Sequence, residues 1–245
     1  QRYNFTVRNT SNFFNDRMTL DLGFSYVIQK DQNMLSQGQY FNPIVPLYLF
    51  PRGEDFTPYR MYERYDEGRQ LMTQHWPYGE MGMAMQNPYW IINRNMFNND
   101  RDRYMANAGL KYKVFDWMDI SGRVRIDNAN TRHTKKLYAS TDAKFAQNKG
   151  YYGDRKDVDK QLYADFLVNI NKRFNDFDLT ANVGASIQDV SMDYVGAEGQ
   201  LSMIPNFFTL HNVDLGANNS RIKQDGWKEQ TQSVFASAEL GWKSM

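Results

Sequence analysis

The 245 residues contain no cysteine, which excludes disulfides and thiolate metal sites. Long hydrophobic runs are also absent: the most extended nearly apolar stretch, Pro43 to Phe50, is far shorter than the roughly 20 residues that a spanning helix needs. A mean hydropathy of -0.72 likewise excludes a helical membrane protein. Neither sign of charge is in excess, with 29 Lys and Arg against 28 Asp and Glu, so we predict no nucleic-acid partner.

Recognisable catalytic constellations are missing as well. His75, His133 and His211 are scattered, and none has a metal-ligating partner at short spacing. The serines and aspartates form no nucleophile elbow or triad motif, and there is no glycine-rich phosphate loop. We therefore predict that the protein is not an enzyme and uses no cofactor or metal.

One acidic stretch deserves a separate test as a calcium site. Asp154, Asp157 and Asp159 supply the carboxylate oxygens that hard cations prefer. Their spacing departs from the EF-hand pattern, and basic residues are interleaved with them. We favour a solvated charged loop over a cation site.

What the chain has in abundance is apolar–polar alternation with a period of two, which is typical of β-strands. Because half of every barrel strand faces a wet lumen, a low mean hydropathy does not exclude a membrane barrel. Each alternating stretch is about ten residues long, the length with which a tilted strand crosses a bilayer. The seven stretches begin near Tyr3, Met18, Tyr104, Met118, Leu162, Phe177 and Val234.

The connections between these stretches alternate between short and long. Short turns follow the first, third and fifth stretches, whereas long loops span about 30–101, 128–160 and 189–229. This order predicts an antiparallel up-and-down transmembrane β-barrel domain over 1–245, with its long loops on the extracellular side. Aromatic residues, which prefer the lipid–water interface, gather at the short turns: Phe13, Phe14, Phe115, Trp117, Phe174, Phe177 and Trp242.

Seven strands do not complete such a barrel, because bacterial barrels have an even number of strands and an open edge in lipid leaves backbone groups unpaired. The alternation starts at residue 3 with no signal peptide before it, and Trp242 is followed at once by three residues where a turn is expected. We therefore expect the chain to be an internal piece of a larger protein that supplies the remaining strands.

Short motifs in two stretches of the chain carry a resemblance to a known family. The segment Asn87–Arg94 reads NPYWIINR, and it is followed by RDRY at Arg101–Tyr104, the turn FDWM at Phe115–Met118 and GR at Gly122–Arg123. In this order the motifs resemble the barrel region of SusC/RagA-type TonB-dependent transporters of Bacteroidetes. The opening strand pair is similar to the one that precedes this loop in the family, so the resemblance covers roughly the first 130 residues.

The resemblance implies a 22-stranded outer-membrane barrel of a Gram-negative bacterium, plugged by an N-terminal domain and powered by the TonB complex. It also implies a SusD-like surface lipoprotein as partner and an oligosaccharide or a peptide as imported substrate. The plug and the TonB box lie outside these residues. The rival interpretations are a passive porin-like barrel, a soluble β-rich carbohydrate-binding or adhesin module, and a membrane barrel enzyme, for which the sequence offers no site.

The first long loop is the predicted place of ligand contact. Aromatic faces stack on sugars or pack against peptide side chains, and amide and guanidinium groups bind their polar edges. The candidates are Trp76, Tyr78, Tyr89, Trp90, Asn93 and Arg94. For Asn87 to Trp90 we favour a structural role, in which Asn-Pro forces a turn and the rings pack the loop onto the barrel rim. The loop is also a candidate interface for the lipoprotein, and Met81, Met83 and Met85 suggest a soft packing surface.

Basic residues on the polar side of the strands are expected to line the lumen. They would either attract anionic substrate, pair with acidic groups of the plug, or pair locally with Asp119 and Asp127. These residues are Arg103, Lys111, Lys113, Arg123 and Arg125.

Overall fold

The structure is a computed structural model that describes residues 1–33, 39–80, 86–218 and 220–242. Its strands are Arg2–Phe13 (β1), Met18–Gln32 (β2), Glu63–Asp66 (β3), Leu71–Gln74 (β4), Asn95–Phe115 (β5), Met118–Leu137 (β6), Tyr151–Phe174 (β7), Phe177–Gln200 (β8) and Arg221–Trp242 (β9). The described residues also form two α-helices, Ile44–Leu49 (α1) and Pro88–Arg94 (α2), and two short 3-10 helices, Thr57–Arg60 and Leu210–Asn212. No helix within the described ranges is long and apolar enough to cross a membrane.

Seven of the strands form one antiparallel sheet in the order β1-β2-β5-β6-β7-β8-β9, so neighbours in sequence are neighbours in space. The hairpin β3–β4 stands apart from it. This is the predicted all-β up-and-down arrangement, and all seven alternating stretches lie in its strands. Within the described residues, β1 and β9 are the two edges of the sheet.

The register brings the apolar positions of neighbouring strands together on one side, which we call the apolar face. A representative row runs through Leu22, Ala108, Val124, Ala164 and Ile187. Since side chains alternate along a strand, the opposite side, the polar face, collects the charged and amide residues. The ladders run without a shift except between Lys113 and Phe115 next to a turn, so the two faces keep their identity along whole strands.

The polar face is held together by ion pairs between neighbouring strands. These pairs include Arg103–Asp127, Lys111–Asp119 at 3.3 Å and Arg123–Asp165 at 2.9 Å. They match the expectation of local pairing for Arg103 and Lys111. For Arg123 the partner comes from β7, which the sequence interpretation did not propose.

The strands extend well beyond the ten residues predicted for each of them. The connections predicted at about 30–101, 128–160 and 189–229 are in the structure 33–94, 138–150 and 201–220. The predicted loop boundaries were therefore wrong at these strand ends. The added strand residues, such as Arg132, are polar on both faces, so they pair in the ladder without showing the alternation that marks a half-buried strand.

The short connections lie together at the opposite end of the sheet. In the turn between β1 and β2, Phe14, Asn15 and Asp16 have φ values near +60°, a conformation that Asn and Asp tolerate well. At the turn between β5 and β6, the Trp117 ring stacks on Phe115 with centroids 5.2 Å apart, and the Lys172 ammonium lies 4.6 Å from the Trp117 ring. These turns carry the aromatic groups that the sequence places there.

The loop end contains most of the buried side chains, and the loops cover both faces of the sheet. Leu137 and Tyr151, which point to the polar face, pack with residues of the 33–94 and 138–150 loops. Tyr152, on the other face, packs with Leu201 and Phe208 of the 201–220 loop. The upper end of the sheet is therefore enclosed between loops on either side.

Candidate functional site

The described part of the loop 33–94 is held together by the buried amide of Asn87. Asn87 is fully buried and caps the N-terminus of α2, with its Oδ1 accepting a hydrogen bond from the Tyr89 N–H at 2.8 Å. Its Nδ2 donates to the backbone carbonyls of Tyr59 at 2.7 Å and His75 at 2.9 Å. Pro88 occupies the first helical position, where no N–H is needed. One side chain thus connects three segments of the loop.

Trp90 joins this loop to the next one. It is 1% exposed, and its Nε1 donates to the Thr141 Oγ1 at 3.0 Å, while that hydroxyl donates to the Asn95 Oδ1 at 2.8 Å. The ring offers no free face to a ligand in this structure. Asn87 and Trp90 are therefore packed inside the protein, whereas the side chain of Tyr89 between them is exposed.

Trp76 is also a packing residue. It is 6% exposed and lies among the rings of Phe50, Tyr59 and Tyr78, with centroid distances of 5.5, 5.4 and 5.8 Å. Its Nε1 has no hydrogen-bond partner among the described residues. Sugar stacking on Trp76 is thus not available in this structure, because the neighbouring aromatic rings occupy its surroundings. Tyr78 lies at the edge of the same aromatic group.

The remaining predicted site residues lie on or near α2. Tyr89 and Asn93 are exposed, and the Asn93 Nδ2 donates to the Tyr89 carbonyl at 2.8 Å. Arg94 makes a bidentate ion pair with Glu63, in which its Nε and Nη2 donate to the two carboxylate oxygens at 2.7 and 2.8 Å. Its guanidinium carbon lies 4.9 Å from the Tyr138 ring centroid. The hydrogen bonds to Glu63 raise the pKa of Arg94. The guanidinium of Arg94 is therefore already used in contacts with Glu63 and Tyr138. Tyr89 and Asn93 remain accessible, and their ligand role stays a prediction.

The calcium candidate of the sequence can also be compared with the structure. Asp154 lies on the face opposite to Asp157 and Asp159 and pairs with Arg132 at 2.6 Å, while Asp157 pairs with Arg155 at 2.5 Å. The three carboxylates therefore do not converge, and within the described ranges no group of three or more potential metal ligands is found. Met81, Met83 and Met85 lie outside the described residues.

The sequence interpretation missed a pocket on the polar face, just below the packed loops. It has a volume of about 350 Å³ and is formed where the upper parts of β5 to β9 meet. Phe97 belongs to its wall and at the same time packs against the apolar cluster around Leu137 and Phe41. The chemically distinctive lining residues are His133, Lys135, Arg155, Glu198, Arg221 and Lys223.

Two rows of directly opposed residues explain how these side chains meet. One row runs Lys135, Gly153, Glu198, Arg221, and the row below it runs His133, Arg155, Gly196, Lys223. Directly opposed side chains in a sheet lie about 5 Å apart, so each glycine opens a gap in its row. At Gly196 a Cβ would lie 2.7 Å from the Cβ of Arg155. The hollow therefore depends on residues without side chains at these two positions.

The electrostatics of the pocket centre on Glu198. Lys223 Nζ lies 3.0 Å from the Glu198 Oε1. Burial raises the pKa of Glu198, but hydrogen bonds from Lys223 and Tyr151 and the nearby Lys223 and Lys135 charges outweigh it, so the pKa lies below its ordinary value. Lys135 lies over the Tyr151 ring at 4.6 Å, and burial lowers its pKa. Burial and the Glu198 carboxylate together raise the pKa of the Tyr151 hydroxyl.

One signal in the sequence would have located this pocket. Counting every second residue from Asp127 upward along β6 assigns His133 and Lys135 to the polar face, and the same count from Asp165 downward along β7 assigns Arg155. The count requires that the strands continue above the alternating stretches.

Comparison with known proteins supports the fold. No protein-family model matches the sequence, and no curated protein matches it significantly. Among solved structures, the RagAB peptide importer in its open-open state superposes with a TM-score of 0.70 at 15% identity, and the RagAB peptide transporter with 0.69 at 15%. The closed-closed state of the same importer gives 0.65 at 16%. Each match covers 98% of this chain but only 26% of the solved one. The chain thus has the all-β fold of a partial barrel, and spans about a quarter of the structures it matches.

Proposed function

We propose that this chain forms part of the barrel wall of a TonB-dependent outer-membrane importer of peptides or oligosaccharides, working with a SusD-like surface lipoprotein. The observation that carries the proposal is the exposed apolar band across the sheet. Leu22, Phe166 and Leu240 on different strands are 43%, 50% and 66% exposed. Soluble proteins rarely leave a contiguous apolar surface of this extent in water, whereas lipid covers it at no cost.

The height of the band fits a bilayer. From Met18 to Ile28 the apolar positions of β2 cover about ten steps of roughly 3.3 Å, and a tilt of about 45° reduces this length to about 23 Å. Aromatic residues lie at the short-turn edge of this band, including the half-exposed Phe115 and Phe174. Charged residues such as Lys30 continue the same face above it. An apolar belt between aromatic and polar borders is what an outer-membrane barrel presents to lipid.

The two edges of the sheet support a larger barrel. β1 and β9 have unpaired backbone groups along their outer sides within the described residues, and lipid provides no hydrogen bonds for them. Further strands from the same polypeptide would pair with both edges. The polar face, with its ion pairs, would then line a wet lumen.

The importer assignment rests on the family resemblance of the NPYW segment and of the strand pair that follows it. The similar solved structures are peptide importers, which favours peptides over oligosaccharides as the substrate. In this proposal the packed loop 33–94 faces the lipoprotein, and exposed residues of α1 such as Tyr48, 86% exposed, lie on that surface. TonB acts through a plug outside these residues.

Cysteine scanning of the full-length protein in intact cells tests the membrane assignment, because these 245 residues contain no cysteine. Substitutions Leu22→Cys and Phe166→Cys on the apolar face are compared with Ser121→Cys on the polar face. We expect a lipophilic maleimide to label the first two and a small water-soluble maleimide to label the third. Equal labelling of all three from water would point to the soluble module.

Uptake measurements test the transport assignment. Cells that carry the protein should take up labelled oligopeptides, and deletion of TonB should abolish this uptake. Uptake that continues without TonB would replace the importer by a passive porin. Uptake of neutral oligosaccharides but not of peptides would keep the importer and change its substrate.

A further inference from the structure

We propose that the pocket on the polar face, between Lys135 of β6 and Arg221 of β9, is a subsite for a carboxylate group of the imported substrate. The inference rests on the proposed function, because it assigns a chemical class to the substrate of that importer. The pocket is formed by the register of β5 to β9.

The charge balance of the pocket favours an anion. Arg155 is matched by Asp157 at 2.5 Å, and Lys223 is matched by Glu198 at 3.0 Å. His133 also contacts Asp157, at 3.4 Å. Beyond these pairs two cations, Lys135 and Arg221, line the pocket without an ion pair among the described residues. Asp154, which also lines the pocket, is matched by Arg132 at 2.6 Å, so the pocket carries a surplus of about two positive charges.

Lys135 is the more constrained of these two cations. Its ammonium lies over the Tyr151 ring, and burial lowers its pKa while Glu198 opposes this. A partly desolvated ammonium attracts an incoming carboxylate more strongly than an ammonium in water does, because the attraction between charges grows as water is removed. The Tyr151 hydroxyl and the Lys223 ammonium both hydrogen-bond Glu198, so this carboxylate is already used within the protein.

The pocket also has the size and shape for a residue that carries a carboxylate. Gly153 and Gly196 interrupt the two rows of side chains, and the roughly 350 Å³ that result exceed the volume of a single carboxylate. The Phe97 ring closes one side of the hollow. The space suits a terminal residue with its carboxylate near Lys135 and its remaining atoms against the ring.

Arg221 can approach the same group from the opposite end of its row. It lies directly across from Glu198 on the edge strand β9. A guanidinium presents two parallel N–H groups to a carboxylate, whereas the lysine supplies a point charge. Together they would hold a carboxylate between β6 and β9.

Binding to purified full-length protein in detergent tests the inference by calorimetry at low salt. The probes are an N-acetylated tetrapeptide with a free C-terminus, its C-terminal amide, trigalacturonate, and the methyl ester of trigalacturonate. The variants are Lys135→Gln and Arg221→Gln. Lys136→Gln is the matched control, since Lys136 follows Lys135 on the same strand but points to the opposite face.

We expect at least one of the two free acids to bind about tenfold more tightly than its blocked form, and each pocket variant to reduce that affinity about tenfold. Lys136→Gln should bind like the unchanged protein. Binding of the peptide acid alone identifies a peptide source of the carboxylate, and binding of trigalacturonate alone identifies an acidic glycan. Because Arg221 lies on an edge strand and Lys135 beside the packed loops, a folding defect in one variant leaves the other informative.

Equal binding of acids and blocked forms, no binding of either acid, or unchanged affinity in both variants would overturn the subsite. Uptake separates this result from the proposed function: TonB-dependent import of neutral peptides with no carboxylate effect refutes the subsite alone. A protein that binds the free acids through Lys135 but imports nothing refutes the importer and keeps the subsite.

Discussion

Replacing Asn87 by alanine should open the loop 33–94, including its hairpin β3–β4, while leaving the seven-stranded sheet intact. The substitution removes three buried hydrogen bonds, to the Tyr89 N–H and to the carbonyls of Tyr59 and His75. At about 1 kcal/mol for each lost bond, the folded loop loses about 3 kcal/mol. Since 1.4 kcal/mol corresponds to a factor of ten, the opening equilibrium of the loop should rise about a hundredfold.

Hydrogen–deuterium exchange of the full-length protein, followed by mass spectrometry, measures this opening directly. Amides of β4 and α2 should exchange about a hundredfold faster in the variant, and amides of β6 and β7 should not change. Asn93→Ala is the matched control, because this exposed amide makes one hydrogen bond along its own helix, and its loss should change exchange by less than about threefold.

Two results would refute this reasoning. Equal acceleration in Asn87→Ala and Asn93→Ala would show that burial of the amide does not matter. Acceleration that spreads equally into β6 and β7 would show that the loop and the sheet open as one unit, so that the loop has no stability of its own.

Two further predictions concern the strands. In Gly184→Ala the new Cβ would lie 2.5 Å from the Phe235 ring and 2.9 Å from a backbone carbonyl oxygen. We expect the free energy of unfolding to fall by about 1–3 kcal/mol, measured as a lower urea midpoint. Gly241→Ala is the control, because its new Cβ would make contacts of 3.7 Å, and it should be near neutral. Because the pKa of Glu198 is lowered, its contribution to stability is fully present above its ordinary pKa of about 4.5 and disappears as pH falls through the lowered value. Protection of the amides at the top of β8, corrected for the intrinsic exchange rate at each pH, should therefore fall in acid, and Glu198→Gln should remove this pH dependence.

The sequence predicts the lower part of the sheet well, and the reason is local. Where one face meets apolar surroundings and the other meets water, residues such as Leu20 and Asp21 must alternate, and the alternation alone identifies the strand and its faces. Above the apolar band both faces are polar, so the strand residues 128–137 and 151–160 carry no periodic signal. Their strand structure follows from continuing the ladder, which sequence periodicity does not register.

The candidate site was harder to predict for a different reason. Aromatic residues suit sugar stacking and loop packing equally, so composition did not distinguish the buried Trp76 and Trp90 from the exposed Tyr89. The pocket residues come from five strands, and only the register places Lys135 in one row with Arg221. Their joint chemistry is a property of strand pairing and not of any motif.

The nearly unbroken ladders have a consequence for how such a wall can change its height. Adding one residue to a strand would reverse the facing of every position beyond it, exchanging the polar and apolar faces for the whole upper part. Adding two residues to each of two adjoining strands preserves all pairs and simply raises the loops by about 5–7 Å. Strands of this sheet can therefore lengthen two residues at a time without changing which face each side chain occupies. The register shift between Lys113 and Phe115 lies beside a turn, so few residues follow it whose facing could change.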